Sequence, residues 1–397
     1  MFSPHQPTVQ TPMSDKLFFA HILRHGPSSR ATIAAEHKLS RPTASEAASR
    51  LVQRGVIRAL TKEPGTTGRR GRVPELYDLV PDIGCILTMR TELARFVVNL
   101  YDLRGACLHE EIRPTKWTAD HTAIDPLLEA VQETLPHANG PILACAMSVL
   151  TTVNPRTQQV VLPEDSTLEG KPLDFYGELT RLLDCPVHVD SHMIWSLHSE
   201  VHHGVASSEE NILTIHLGNH IGSALSNNGV VYRGAHGRAG SLRALRVRGE
   251  RLSRIFREHG VVLEDDPVGR ELGYLNIDAT LERVMSNPEA KNSQEFIHSI
   301  VEAIVNVVSF SDPDALVLTG PMTAHQEFTA LLHRLITDEL PYSETSIYIS
   351  NNGPEATTNG VYIGAHQLAL ASMGLVLPGQ KVPAYHEKIE NEVSAEE

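Results

Sequence analysis

A chain of 397 residues exceeds one ordinary domain, so two or three domains and a large core are expected. The formal charge of −14 taken alone argues against nucleic acid, yet between Lys16 and Arg72 twelve Lys and Arg face three Asp and Glu, a local balance of +9. The remainder holds 22 against 45, which describes a basic amino-terminal module on an acidic body and leaves only that end suited to phosphates. Four scattered cysteines, Cys85, Cys107, Cys145 and Cys185, give neither a disulfide framework nor a CxxC metal site. With no secretory segment and no apolar run of about 18 residues, a cytoplasmic chain without membrane contact is expected.

Residues 1–14 are rich in Pro, Gln, Ser and Thr and read as a disordered terminus. A first helix is predicted over Asp15–Arg24, stopped by Gly26-Pro27. Next come a short helix over Ser29–His37, a tight turn at Lys38-Leu39-Ser40, and a second helix with Pro42 in its first turn, where a missing N–H costs nothing. Ala44, Ala48 and Leu51 recur at helical spacing and face a core. Arg41, Thr43, Ser45, Glu46 and Arg50 remain on the other faces, suited to base edges and phosphates. This is the pattern of a helix-turn-helix whose second helix enters the major groove, against the plainer reading of a helical hairpin with a solvated face.

Gly55 closes that helix, Val56–Arg58 begins a strand, and GTTGRRGRVPELYDL suggests a hairpin with Val73, Leu76, Tyr77 and Leu79 in its return strand. Arg69, Arg70 and Arg72 at its tip suit a narrow minor groove, or phosphates alone. Residues 15–80 are thus read as a winged helix-turn-helix. Beyond Pro81 short strands and helices alternate. Strands are predicted over Ile83–Met89, Phe96–Tyr101, Leu108–Ile112, Ile142–Ser148 and Val187–Val189, with helices over Thr122–Thr134 and Asp174–Leu183. A second set follows: strands Asn211–Leu217, Ala224–Ser226 and Val230–Tyr232 around the turn Asn227-Asn228-Gly229, helix Phe296–Phe310, strand Ala315–Thr319, helix Thr323–Leu335, strand Ile347–Ile349 and helix Gly360–Leu370. Two successive β-β-β-α-β-α units imply an α/β body over 81–375 in two lobes, followed by an acidic tail at 376–397.

These segments carry a resemblance. PVHVDSH at 186–192, LGNHIGSALSNNGVVYRGAHGRAGSL at 217–242, SDPDALVLTGPM at 311–322 and GVYIGAHQLAL at 360–370, with the module at 16–80, resemble the ROK family of repressors, open reading frames and sugar kinases. More narrowly the chain resembles the regulator branch of xylose-type and N-acetylglucosamine-type repressors. The resemblance implies an actin-like, duplicated ribonuclease-H fold with a sugar pocket between lobes, a homodimer or homotetramer, and double-stranded DNA as partner.

The departures from the family pattern concern the chemistry. Thr88-Met89-Arg90-Thr91-Glu92 has no glycines where the family kinases carry a first phosphate loop, and Gly218-Asn219-His220 replaces their Gly-x-Gly. Ser191 and His192 replace the Asn-Asp pair whose Asp is the base. Ser241 to Ala244 replace the Glu-x-Gly-His motif, and the zinc cysteines are missing, His236 and His259 having no thiolate neighbours. The chain is therefore expected neither to phosphorylate sugars nor to carry stoichiometric zinc, and no cofactor is implied. Asn154, Asp190, Ser191, His192 and Ser241 are the candidate effector-pocket residues; Asn154, Glu164 and Glu200 can each contact a polyol, against the plainer reading of ordinary surface or supporting residues. The function read from the sequence is a DNA-binding repressor-type regulator of carbohydrate genes with a possible sugar effector. Its alternatives are a sugar kinase with an added domain, or a regulator controlled by a protein partner.

Overall fold

The computed structural model describes residues 11–60, 74–92, 95–115, 124–161, 173–243, 245–264, 273–341 and 343–378. The first part comprises α1 (Met13–His25), β1 (Ser28–Ser29), α2 (Arg30–Glu36), α3 (Arg41–Gln53), β2 (Ile57–Ala59) and β3 (Leu76–Leu79). Each short helix starts at a serine: Ser29 Oγ accepts from Thr32 N–H, and Ser40 Oγ accepts from Thr43 N–H one residue before Arg41-Pro42. Lys38, in the left-handed region at φ 53°, makes the turn between them. The three strands form one antiparallel sheet in the order β1-β3-β2. Ala44, Ala47, Ala48 and Leu51 are buried in the same apolar cluster as Phe18, Phe19 and Ile22 of α1. The helix starts earlier than expected: Met13 and Ser14, assigned to a disordered terminus, belong to α1, because Ser14 is buried and bonds Arg50.

The body holds two five-stranded sheets. The first contains β4 (Cys85–Thr91), β5 (Arg95–Asp102), β6 (Cys107–Pro114), β7 (Ile142–Val149) and β10 (Val187–Ser191), with the minor pair β8 (Thr152–Val153) and β9 (Val160–Val161) between the last two in sequence. The second contains β11 (Ile212–Leu217), β12 (Ile221–Asn227), β13 (Val230–Tyr232), β16 (Ala315–Thr319) and β17 (Ser346–Ile349), with a minor pair β14 (Arg246–Val247) and β15 (Glu250–Arg251). The orders are β10-β7-β4-β5-β6 and β13-β12-β11-β16-β17. In both, the first three strands are antiparallel and the last two join parallel. The topology is thus one unit used twice, as the doubled strand pattern implies. The Asn228-Gly229 turn has both residues at positive φ, 49° and 67°, as a two-residue hairpin of this hand requires.

Helices α4 (Asp125–Thr134) and α5 (Phe175–Leu182) cover the first sheet. The later helices are α6 (His192–His203), α7 (Leu252–His259), α8 (Ile277–Ser286), α9 (Lys291–Ser311), α10 (Gln326–Glu339) and α11 (Ala356–Ser372). Of these α6, α7 and α8 were not anticipated. In α6 the apolar stripe Ile194, Leu197, Val201 is interleaved with four histidines, which hides it. Trp195 of α6 is the pivot of the interior: its Nε1 donates to the Met147 carbonyl at 2.9 Å, and α11 crosses it through glycines. A Cβ on Gly364 would lie 2.2 Å from the indole ring, so only glycine admits this approach.

The N-terminal module does not hang from a linker. One apolar cluster contains Phe18, Leu51 and Leu79 of the module together with Ile86, Leu143, Trp195, Leu368 and Met373 of the body. Arg54 donates to the Met373 carbonyl, and Arg104 donates to the Ile22 carbonyl and to Asp78. All four cysteines are free thiols. Among the described residues no helix is long and apolar enough to cross a membrane.

Candidate functional site

Two places carry the residues singled out from the sequence. On α3, Arg41, Pro42 and Glu46 are exposed, and Thr43 and Ser45 are half-buried. Thr43 bonds Ser40 through its hydroxyl at 2.7 Å, so it stabilises the start of the helix as well as lining its face. Arg50 is the correction. Its Nε lies 2.9 Å from Asp15 Oδ2, its Nη2 2.6 Å from Asp15 Oδ1 and 3.2 Å from Ser14 Oγ. A bidentate fork onto a carboxylate only 2 % exposed is a tie between α3 and α1, not a free phosphate ligand. That hydrogen bond to Asp15, opposed by burial, raises the guanidinium pKa above its ordinary value. Arg69, Arg70 and Arg72 lie outside the described residues. Lys38, in the turn before α3, and Arg58, on β2, are further exposed cations that the sequence reading did not single out.

The second place is the junction of the two sheets, where β10 runs into α6. Asp190 is buried, with Arg233 Nε at 2.6 Å and His188 Nε2 at 3.4 Å. Burial pushes its carboxyl upward, but Arg233 and His188 outweigh it and hold the group below the usual range. Ser191 caps α6, accepting from Ile194 N–H. His192 Nδ1 lies 3.3 Å from the Val149 carbonyl, which only accepts, so Nδ1 carries the proton. Its Nε2 then accepts from His220 Nε2–H at 3.1 Å. The His220 ring stacks on Tyr274 at 5.0 Å, and the His216 ring stands 5.7 Å from both histidines. Burial lowers all three: His192 to about 4, His216 to about 3, and His220 well below its ordinary value.

The loops around this cluster are closed on themselves. Gly218 N–H donates to the His220 carbonyl, Leu275 N–H to the Asn219 carbonyl at 2.7 Å, and Asn219 Nδ2 to the Leu275 carbonyl. A Cβ at Gly218 would meet His216 Nε2 at 2.4 Å, so an imidazole already fills the space beside that glycine. Where a first phosphate loop would stand, Glu92 N–H donates to the Arg95 carbonyl and the Glu92 carboxylate pairs with Arg95. The remaining pocket candidates fare differently. Asn154 Oδ1 accepts from Arg156 N–H and Thr157 N–H within its own turn, and Ser241 is exposed. Glu200 is not a surface residue: it is fully buried and holds Ser350 and, at 2.8 Å, Asn352 Nδ2. Glu164 and Ala244 lie outside the described residues. His236 is exposed, and the His259 carbonyl accepts from Arg283.

Two copies of one sheet unit, joined where α6 begins, define the class: a duplicated, actin-like α/β protein. Residues 93–246 match the model of the ROK family. The solved structure of a ROK family transcriptional regulator, a homologue of the E. coli MLC protein, superposes with a TM-score of 0.62 at 16 % identity, covering 91 % of this chain and 96 % of that one. A ROK hexokinase from Thermus thermophilus gives 0.54 at 16 % identity, and a putative N-acetylmannosamine kinase from Listeria monocytogenes 0.53 at 18 %, each covering 73 % of this chain and 99 % of its own. At these identities the likeness is one of fold. A comparison with curated proteins found no match.

Proposed function

We propose that the chain is a sequence-specific DNA-binding transcriptional regulator of carbohydrate-related genes, whose kinase-like body assembles and senses but does not transfer phosphate. The observation that carries this reading is the exposed polar face of α3, presented by a short helix and a tight turn in the manner of a helix-turn-helix. The order α1-β1-α2-α3-β2-β3 suits a winged helix. The regulator structure covers 91 % of the chain where the two kinases cover 73 %, in keeping with a module the kinases do not share.

Loss of catalysis is supported by the junction. The lone pair a base would use, on His192 Nε2, is already occupied by His220. Binding to duplex DNA by the full chain should fall with salt: for about six phosphates, log K against log salt has a slope near −5, at roughly −0.9 per phosphate. A flat dependence overturns the reading. ATP-dependent turnover of hexoses above background in a coupled assay would restore the kinase reading of the body. Because Asp190 is spent on Arg233, a regulator controlled by a protein partner is the second reading. Saturable binding of a sugar to the full chain excludes it.

A further inference from the structure

We propose that His21, His25 and Glu36, with His37 as a fourth donor, form a binding site for a divalent transition-metal ion of the zinc type in the N-terminal module. His21 and His25 stand one turn apart on α1, so both side chains leave the same face. Glu36 is the last residue of α2 and His37 follows it. One donor atom from each of His21, His25 and Glu36 lies within 4.8 Å of the other two. Glu36 Oε2 is 3.4 Å from His21 Nδ1, Glu36 Oε1 is 3.8 Å from His25 Nε2, and His37 Nε2 is 3.3 Å from His21 Nδ1. Ligands at about 2.0–2.1 Å from a tetrahedral zinc stand roughly 3.3 Å from each other, so His21, His25 and Glu36 need little closure, while His37, beside His21, must swing toward the other two to complete the set.

The surroundings also prepare His21 as a ligand. Ser28 Oγ gives its one proton to the Gly26 carbonyl at 3.1 Å, so at 3.2 Å from His21 Nε2 it must accept. That fixes the Nε2–H tautomer and leaves the Nδ1 lone pair facing Glu36 and His37, the arrangement an outer hydrogen bond imposes on metal-bound histidines. Burial lowers the pKa of His21, with Glu36 opposing and His25 and His37 assisting. The side chains of His25 and Glu36 are 47 % and 50 % exposed, which provides an entry path. Three imidazoles and one carboxylate suit zinc, cobalt, nickel or copper, and not magnesium or calcium, which prefer oxygen alone. The bound ion would fasten the end of α1 to the turn that aims α3. This revises the expectation of a zinc-free chain, and it stands whether or not the module binds DNA.

The test uses the full chain, stripped with a chelator, titrated with Zn²⁺ by calorimetry and with Co²⁺ by visible absorption. One ion per chain is expected, with the ligand-field bands of four-coordinate cobalt and no thiolate charge-transfer band. Ser28→Ala should weaken binding about 10-fold, the lower end for an outer partner, and His25→Ala or Glu36→Gln by more than that. Both of those residues are half-exposed, so circular dichroism should show their variants folded. His192→Gln should leave the titration unchanged. No binding to the folded wild-type chain, undiminished binding in the His25→Ala/Glu36→Gln double variant, or loss in His192→Gln, overturns the proposal.

Discussion

The face of α3 and the junction between the sheets are both rich in polar side chains, and they differ in where those side chains spend their hydrogen bonds. On α3, Arg41 and Glu46 point to solvent, and only Arg50 is drawn inward. At the junction Asp190 is held by Arg233, His192 by Val149 and His220, and Asn219 by Leu275. A surface that meets a polyanion must keep cations free, because the gain comes from counterions released when phosphates are neutralised. A pocket that grips a polyol must likewise keep donors and acceptors unspent, since each one already paired has to be exchanged at a cost. The contrast separates a face that leaves Arg41 in solvent from a junction whose polar groups are paired with one another.

Arg50 puts that contrast to its hardest test. Arg50→Ala leaves the Asp15 carboxylate buried without its cation, which costs about 3 kcal/mol, the low end for a broken buried pair because Arg50 is itself 38 % exposed. Urea unfolding measures it, and a change under about 0.5 kcal/mol, the range of ordinary surface substitutions, would move Arg50 back to the DNA-facing set. Arg41→Ala should leave stability within that range and lower DNA affinity in the same preparation.

The junction makes the next largest claim. His192 and His216 have folded pKa values of about 4 and 3 against 6.5 in the unfolded chain, so the unfolded chain binds more protons between those values. Stability contributed by the neutral rings is complete above pH 6.5 and is lost as pH falls from there toward 4, by at most about 1.4 kcal/mol per pH unit for each histidine. Unfolding midpoints from pH 7 to 4.5 should show the slope, and His192→Gln should reduce it. An unchanged slope would mean that water reaches these rings more freely than their packing indicates. The smallest effect belongs to the helix start: Ser40→Ala removes the cap on Thr43 N–H and should cost about 1 kcal/mol by thermal unfolding. No loss at all would leave the Pro42 turn holding α3 by itself.

The elements read best from the sequence were those with a local cause. Pro42 and Ser40 mark the start of α3, Gly26 the end of α1, and Asn228-Gly229 the hairpin, each within a few residues of the effect. The β-β-β-α-β-α repeat needed only alternation and turn residues. What escaped notice depends on distant partners. Nothing near Arg50 in sequence announces Asp15, 35 residues away, and Arg233 is 43 residues from Asp190. His21 and His25 formed a visible pair at helical spacing, but Glu36 and His37 join them only once α1 and α2 are packed. Helix α6 was missed because its histidines break the apolar stripe, and the packing of its Trp195 against the glycines of α11 is not local in sequence.

The shared interior that joins Phe18 and Leu51 to Leu368 and Met373 has a consequence for anyone wishing to rebuild the protein. Two-part proteins often tolerate exchange of one part on a common base, and this chain does not invite it. Cutting after residue 80 would strip Ile22 and Leu79 of the residues that cover them, and would leave the end of α11 with a raw apolar surface and an unclaimed Met373 carbonyl. A chimera that takes its head from a relative must therefore take that relative's last helical turn as well. Heads and tails of this architecture are expected to change together, as two halves of one joint.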